Sequence, residues 1–169
     1  MDWLNILMKA SAKIKKVVHP LEPIYDEQSK VLILGSFPSV ISRKDMMYYA
    51  NKTNRFWSVM GALFEEEITD HVSFCHKHHL AIWDVIHSCT IEGSSDSSIK
   101  NVIPNDIAGL VQKTHIELIV TTGKKAAALY EQYIHLDLPH ISLPSTSAAN
   151  AKMRLEELVY EYRKIKEVL

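Results

Sequence analysis

The chain has 169 residues, of which 47% are hydrophobic and 23% charged, with five Gly and six Pro. That is enough to bury one proper core and too little Gly and Pro for a long flexible linker, so a single globular domain is expected. The formal net charge is −1, with 19 Lys and Arg against 20 Asp and Glu. Overall charge argues mildly against a nucleic-acid binder, yet Lys9, Lys13, Lys15, Lys16, Arg43, Lys44, Lys52 and Arg55 make the first third basic, so charge leaves the question open. No apolar run approaches the roughly 18 residues of a membrane span, and no membrane partner is expected. Cys75 and Cys89 form no CxxC pair and read as buried reduced thiols, not as a disulfide, zinc or iron–sulfur framework.

In chain order, "MDWLNILMKASAKIKKVV" predicts an amphipathic helix with a basic face, giving a helical extension over residues 1–17 before a single domain over 18–169. Its acidic second residue, and a Lys after the apolar patch, reverse the order of a secretory signal, so a cytoplasmic location is expected. "HPLEPIYDEQSK" is a turn-rich lead into the first strand. Four runs, "KVLILGS" (30–36), "LAIWDVI" (80–86), "IELIVTT" (116–122) and "PHISLP" (139–144), are apolar nearly throughout, as strands covered on both faces should be. Helical spacing fills the gaps. "NRFWSVMGALFEE" carries Phe56, Val59, Met60, Leu63 and Phe64 on one stripe, and "DHVSFCHKHH" is a second helix. "NDIAGLVQKT" has Asn105 as its expected N-cap. "GKKAAALYEQYI" follows the third strand, and "NAKMRLEELVYEYRKIKEVL" closes the chain as a long helix.

Strands alternating with helices predict βαβ units around a mainly parallel sheet, whose ligands sit beyond the carboxyl ends of the strands. Three such ends run into polar loops, "GSFPS", "DVIHSCTIEGSSDSS" and "LPSTSAAN". "HKHH" (76–79) places His76 and His79 on one helix face, but no carboxylate stands at a typical spacing and the segment lies at the other end of a strand. It reads as a solvated helix end, and no metal is expected. "TTGKKAAALY" lacks the first Gly and the Ser or Thr of a phosphate loop. Gly123 and Lys124 still offer an amide and a point charge at a helix N-terminus. Ser36, followed by Phe and Pro, is no nucleophile elbow. "EGSSDSS" (92–98) suits a solvated loop and the lining of a polar ligand equally.

These residues resemble the uracil-DNA glycosylase superfamily, and within it the hypoxanthine-DNA (deoxyinosine) glycosylase branch. "GSFPS", "YYA", "NRFW", "IWDVI", "GSSDSSIKNVIPND" and "LPSTSAAN" follow that branch's motifs in order over residues 18 to 165. The resemblance implies a three-layer α/β/α sandwich on a short four-stranded, mainly parallel sheet. It implies a monofunctional DNA glycosylase that needs no cofactor and acts on flipped deaminated bases, chiefly hypoxanthine, and a monomer is expected. Mismatch-type relatives hold the attacking water with an Asn in the first loop. Here Phe37 stands there, and the resemblance passes the catalytic role to Asn54, an amide with an acceptor for water and donors for sugar or base. The bland role for Asn54 is a helix N-cap. Gly35, Ser36, Phe37 and Pro38 would wall the base pocket, Tyr49 would stack on the base, and Ser95, Asp96 and Ser97 would line it. Ser39, Arg55, Lys124, Ser145, Thr146, Ser147 and Asn150 would meet DNA, with Arg55 either reaching a phosphate or supporting structure. The rival readings are a uracil or thymine-mismatch glycosylase, and a non-catalytic DNA-binding module on the same fold.

Overall fold

The structure is a computed structural model that describes residues 2–4 and 14–169. Its elements run β1 (Ile14–Val18), β2 (Val31–Gly35), α1 (Val40–Asp45), α2 (Phe56–Phe64), α3 (His71–Lys77), β3 (Leu80–Asp84), β4 (Ile86–Glu92), a 3₁₀ turn (Asp96–Ser98), β5 (Lys100–Pro104), α4 (Ile107–Gln112), β6 (Leu118–Thr122), α5 (Lys124–Tyr133), β7 (His140–Leu143), α6 (Leu155–Tyr162) and a closing 3₁₀ segment (Arg163–Glu167).

The four apolar runs pair in parallel in the order β3-β2-β6-β7, as the lack of alternation within each run requires. Successive residues of β2 serve opposite faces. Val31 and Ile33 pack with Phe56, Val59, Met60 and Leu63 of α2, with Phe74 and Cys75 of α3 and with Leu158 and Tyr162 of α6. Leu32 and Leu34 pack with Ile107 and Leu110 of α4 and with Leu129 and Tyr130 of α5. The central layer and its helical covers therefore match the expected architecture.

The second cover holds more than helices. β4 leaves β3 after one residue, Val85, and joins an antiparallel sheet of order β1-β4-β5. Cys89 and Ile91 of β4 drive into the same core as Leu32 and Leu34. "HSCTIE" reads as loop because its apolar positions do not alternate. The reason is irregular pairing, with register shifts against β5 between Ile86 and Ser88 and between Ser88 and Thr90.

The expected N-terminal helix ends differently. Residues 14–18 form a strand, Ile14 facing Glu92 and Val18 facing Ser88. A run rich in β-branched side chains takes the open edge that β4 offers. Residue 1 and residues 5–13 of that expected helix lie outside the described residues. The last helix is also shorter than its pattern, since residues 150–154 belong to a loop and α6 begins at Leu155. Asp106, not Asn105, caps α4, its carboxylate accepting the Gly109 N–H at 3.0 Å. Among the described residues no helix is long and apolar enough to cross a membrane.

Leu158 is fully buried between α2 and the sheet, far in the chain from the polar loops. Leu158→Ala should lower the unfolding free energy by about 2–5 kcal/mol in a denaturant titration.

Candidate active site

A parallel sheet exposes a crevice where its strand order turns back on itself. Here the chain runs from β2 outward to β3, then returns to the other side of β2 with β6, so the crevice lies beyond Gly35 and Thr122. A cavity of about 230 Å³ occupies that place. All four strands reach it, through Gly35, Asp84, Thr122 and, just past β7, Ser145. Its volume falls below the roughly 300–1,000 Å³ of sites for drug-sized ligands, which suits one heterocycle.

Asn54 lines this cavity with its carboxamide held rigidly. Its Oδ1 accepts the Phe56 N–H at 2.9 Å and the Thr146 hydroxyl at 2.9 Å. Both lone pairs are thereby used. Arg55, not Asn54, is the N-cap of α2, and Asn54 one residue earlier closes a turn onto the Phe56 N–H at the mouth of the site, so its amide oxygen cannot also accept from a water. The amide presents its N–H donors instead, since Nδ2 has no partner among the described residues. Thr146 also lines the cavity but is 2% exposed, and its hydroxyl is spent on orienting Asn54.

Arg55 takes the structural one of its two expected roles. Its guanidinium donates to the carbonyls of Met153, Ser147 (3.1 Å) and Asn150 (3.0 Å), and its backbone N–H donates to Thr146 O at 3.0 Å. It clamps the loop after β7 against the start of α2. Asn150 closes the same loop by donating from Nδ2 to Ser145 O at 3.0 Å, so this side-chain donor is turned inward. Ser145 and Ser147 remain on the cavity wall. Exposed Lys124 lies beside them in a neighbouring groove that also holds Lys125 and Asn150.

Gly35, Ser36, Phe37, Pro38 and Ser39 all line the cavity. The Ser39 hydroxyl caps α1 by accepting the Ser42 N–H at 3.1 Å. Phe37 lies edge-on to His19, centroids 5.8 Å apart. Tyr49 adopts a left-handed φ of 54°, uncommon outside Gly. Its ring stacks on Phe56 at 3.9 Å and its hydroxyl pairs with Thr122 Oγ1 at 3.3 Å. Burial raises its phenol pKa. With one face taken by Phe56, only the other remains for a base.

The serine-rich loop divides. Asp96 reaches the cavity, accepting from the Ser36 hydroxyl at 3.3 Å, and desolvation at the rim raises its carboxyl pKa. Ser94, not foreseen, lines it too and binds the Val40 N–H at 2.9 Å. Ser95 and Ser97 do not line it; their exposed hydroxyls pair with each other at 3.1 Å. In the 3₁₀ turn successive side chains point about 120° apart, so Asp96 reaches the cavity while Ser97 does not.

Sequence reasoning missed Asp84, His19 and Asn105. Asp84 ends β3 on the cavity floor at 5% exposure, its Oδ2 2.7 Å from His19 Nε2. Asn105 is buried and donates from Nδ2 to the carbonyls of Asp84 and Ile86 at 2.9 and 3.1 Å. The available signal was a charged residue closing an otherwise apolar strand in "IWDVI". Elsewhere His78 of "HKHH" pairs with Glu66 at 2.7 Å, a partner its spacing did not reveal. Among the described residues no three His, Cys, Asp or Glu are grouped to hold a metal ion.

A Cβ on Gly35 would stand 2.5 Å from Asp84 Oδ1. Gly35→Ala should therefore fold yet displace that carboxylate, lowering turnover by at least about tenfold in a single-turnover assay, on the scale of a misplaced active-site group. Thr146→Val should free the Asn54 carboxamide and lower the single-turnover rate by about tenfold, one lost hydrogen bond's worth of orientation.

The family model described as the uracil DNA glycosylase superfamily matches residues 22–165. A Methanosarcina acetivorans protein named hypoxanthine DNA glycosylase is 33% identical over 136 residues, 76% of this chain and 85% of its own length. One of the same name from Methanosarcina barkeri is 28% identical over 110 residues, 62% of this chain and 70% of its own. A solution NMR structure of a Methanosarcina acetivorans protein assigned as a uracil DNA glycosylase superposes with a TM-score of 0.73 at 30% identity, covering 89% of this chain and 99% of that one. The matched span runs from the lead into β2 to the middle of the closing 3₁₀ segment, taking in every strand end that builds the cavity, and the chain belongs to the uracil DNA glycosylase superfamily.

Proposed function

We propose that this DNA glycosylase removes hypoxanthine from DNA, hydrolysing the N-glycosidic bond of deoxyinosine and leaving an abasic site. The observation that carries the reading is the locked Asn54 carboxamide, which turns fixed donors to a cavity sized for one flipped base. Phe37 stands where mismatch-type relatives carry a water-holding Asn, which favours this branch over a uracil or thymine-mismatch enzyme. The relatives named hypoxanthine DNA glycosylases support the same choice.

Loss of the purine leaves oxocarbenium character on C1′ and negative charge on the departing ring. So electrophilic a carbon needs its water placed more than deprotonated. An N–H of Asn54 engages one lone pair of that water and leaves the other for C1′. Its proton passes to solvent once the new C–O bond has formed. Among the described residues no Lys of the cavity offers an amine nucleophile, which favours base release without strand cleavage. Ser145 and Ser147, with Lys124 beside them, form the face toward the DNA backbone. Cys75 and Cys89 are both buried and unpaired, and burial pushes the Cys75 thiol up to about 12, which suits the reducing conditions of a cytoplasmic protein.

A labelled duplex with one deoxyinosine should yield an alkali-labile product that is not cut before alkali. Asn54→Ala should lose about 10²–10³ in single-turnover rate, the usual effect of removing one preorganised donor, while duplex affinity changes little. Absence of product across hypoxanthine, xanthine and uracil duplexes would end the reading, and preferred release of uracil would transfer the protein to the rival branch.

A further inference from the structure

Asp84 has two inequivalent oxygens. Oδ2 meets His19 Nε2 at 2.7 Å, and both side chains are nearly inaccessible, at 1% for His19 and 7% for Asp84. His19 Nδ1 accepts the Leu21 N–H at 3.2 Å. A ring nitrogen that accepts carries no proton, so the imidazole proton is on Nε2 and is donated to the carboxylate. The Asp84 backbone is held as well, through the bond its carbonyl accepts from Asn105 Nδ2. Oδ1 has no hydrogen bond among the described residues, while Asp84 lines the cavity. It lies over Gly35, where a missing Cβ leaves it room, and the Tyr49 hydroxyl near the same point is already paired with Thr122.

Resting on the function proposed above, we propose that Asp84 Oδ1 is the acceptor that reads the N1–H of a flipped 6-oxopurine, with His19 as the residue that positions it. The base must enter ring edge first, because its sugar stays with the backbone at the mouth. The floor therefore meets the edge opposite the glycosidic bond. Hypoxanthine carries a hydrogen at N1 and satisfies the carboxylate oxygen. Adenine carries a lone pair there, and two facing acceptors in a buried site leave both without a donor.

His19 settles a second competitor. Guanine offers N1–H and a 2-amino group side by side, a pair of donors that suits a carboxylate with both oxygens open. Here Oδ2 is already occupied by the imidazole, so the amino group meets a donor where it needs an acceptor. The arrangement accepts one N–H, and normal purines fail it for opposite reasons. Adenine lacks the hydrogen, and guanine brings one donor too many.

The test uses the full chain and duplexes bearing 2′-fluoroarabino nucleotides, whose fluorine suppresses cleavage so that equilibrium affinity is read directly by anisotropy. Wild-type protein should bind the hypoxanthine duplex roughly tenfold to a hundredfold tighter than duplexes with adenine or with unsubstituted purine, which has no N1–H, the range expected for losing one hydrogen bond to a charged acceptor. In Asp84→Asn the His19 donor should hold the amide oxygen and turn the NH₂ to the cavity, moving the hypoxanthine-to-adenine ratio toward adenine by a similar factor. His19→Phe should raise relative affinity for the guanine duplex. Equal wild-type affinity for hypoxanthine and unsubstituted purine overturns the proposal, and this arm stands even if Asp84→Asn does not fold. An Asp84→Asn protein that keeps its base ratio while losing turnover also overturns it, placing the carboxylate on the water or sugar instead. A His19→Phe protein that weakens on all bases equally removes the guanine argument. If deoxyinosine is not excised at all, the functional reading fails; if it is excised with a base ratio indifferent to Asp84, only this proposal does.

Discussion

The structure of the site depends on a hydrogen bond between residues far apart in sequence, the Thr146 hydroxyl donating to Asn54 Oδ1. It joins the loop before α2 to the loop after β7, and Arg55 repeats the join one residue on with its guanidinium spread over three carbonyls of the same loop. Neither loop has regular secondary structure to stiffen it. Each is ordered by the other, and the cavity wall exists only while both are in place. Such a join is modest in net free energy, about 0.5–1.5 kcal/mol for a typical neutral bond. Its effect on orientation is larger, because a carboxamide with both oxygen lone pairs filled has a defined face to turn toward a ligand.

The sheet supplies the other constraint. Strand ends in a parallel sheet lie side by side, so residues at the ends of β2, β3 and β6 are brought together without any sequence proximity. Gly35 and Asp84 are register partners at the ends of neighbouring strands. That pairing explains why Gly is required at 35: a side chain on one end would occupy the space of the carboxylate on the other. Tyr49 contributes in a different way. A left-handed backbone at a non-Gly residue costs about 1–3 kcal/mol and persists where the surroundings overdetermine it. Here stacking on Phe56 and the bond to Thr122 hold it in place.

The legible part of this fold was the part with strong periodicity. The four core strands and the α2 and α5 helices follow from uninterrupted apolar runs and from helical stripes that the sheet buries. β4 escaped notice because its irregular pairing with β5 breaks the period of two. β1 was hidden because Ile14–Val18 carries a pattern compatible with either helix or strand, and only the free edge of β4 decides between them. The site divides along a similar line. The GSFPS loop and Asn54 are contiguous motifs, and the resemblance placed them at the cavity. Arg55 and Thr146 carried no sequence sign of their inward bonds, since those bonds join residues 92 to 98 positions apart. Asp84 was masked by its apolar neighbours, and His19 by its distance.

Near neutrality of the whole chain bears on how such a site selects its substrate. A binder that neutralises many phosphates gains affinity for any duplex, and that gain is indifferent to sequence or damage. With a net charge of −1, this chain has little uniform attraction for DNA. Among the described residues the cations near the site are local, with Lys124 and Lys125 in the groove beside Ser145 and Arg43 against Phe37. More of the discrimination must then come from what the cavity does with a base already out of the stack, where unstacking costs least for a mismatched or damaged nucleotide. A small, rigid, polar-floored cavity serves that division of labour well. It gives little to an intact duplex and returns its interactions only to a base whose edge fits.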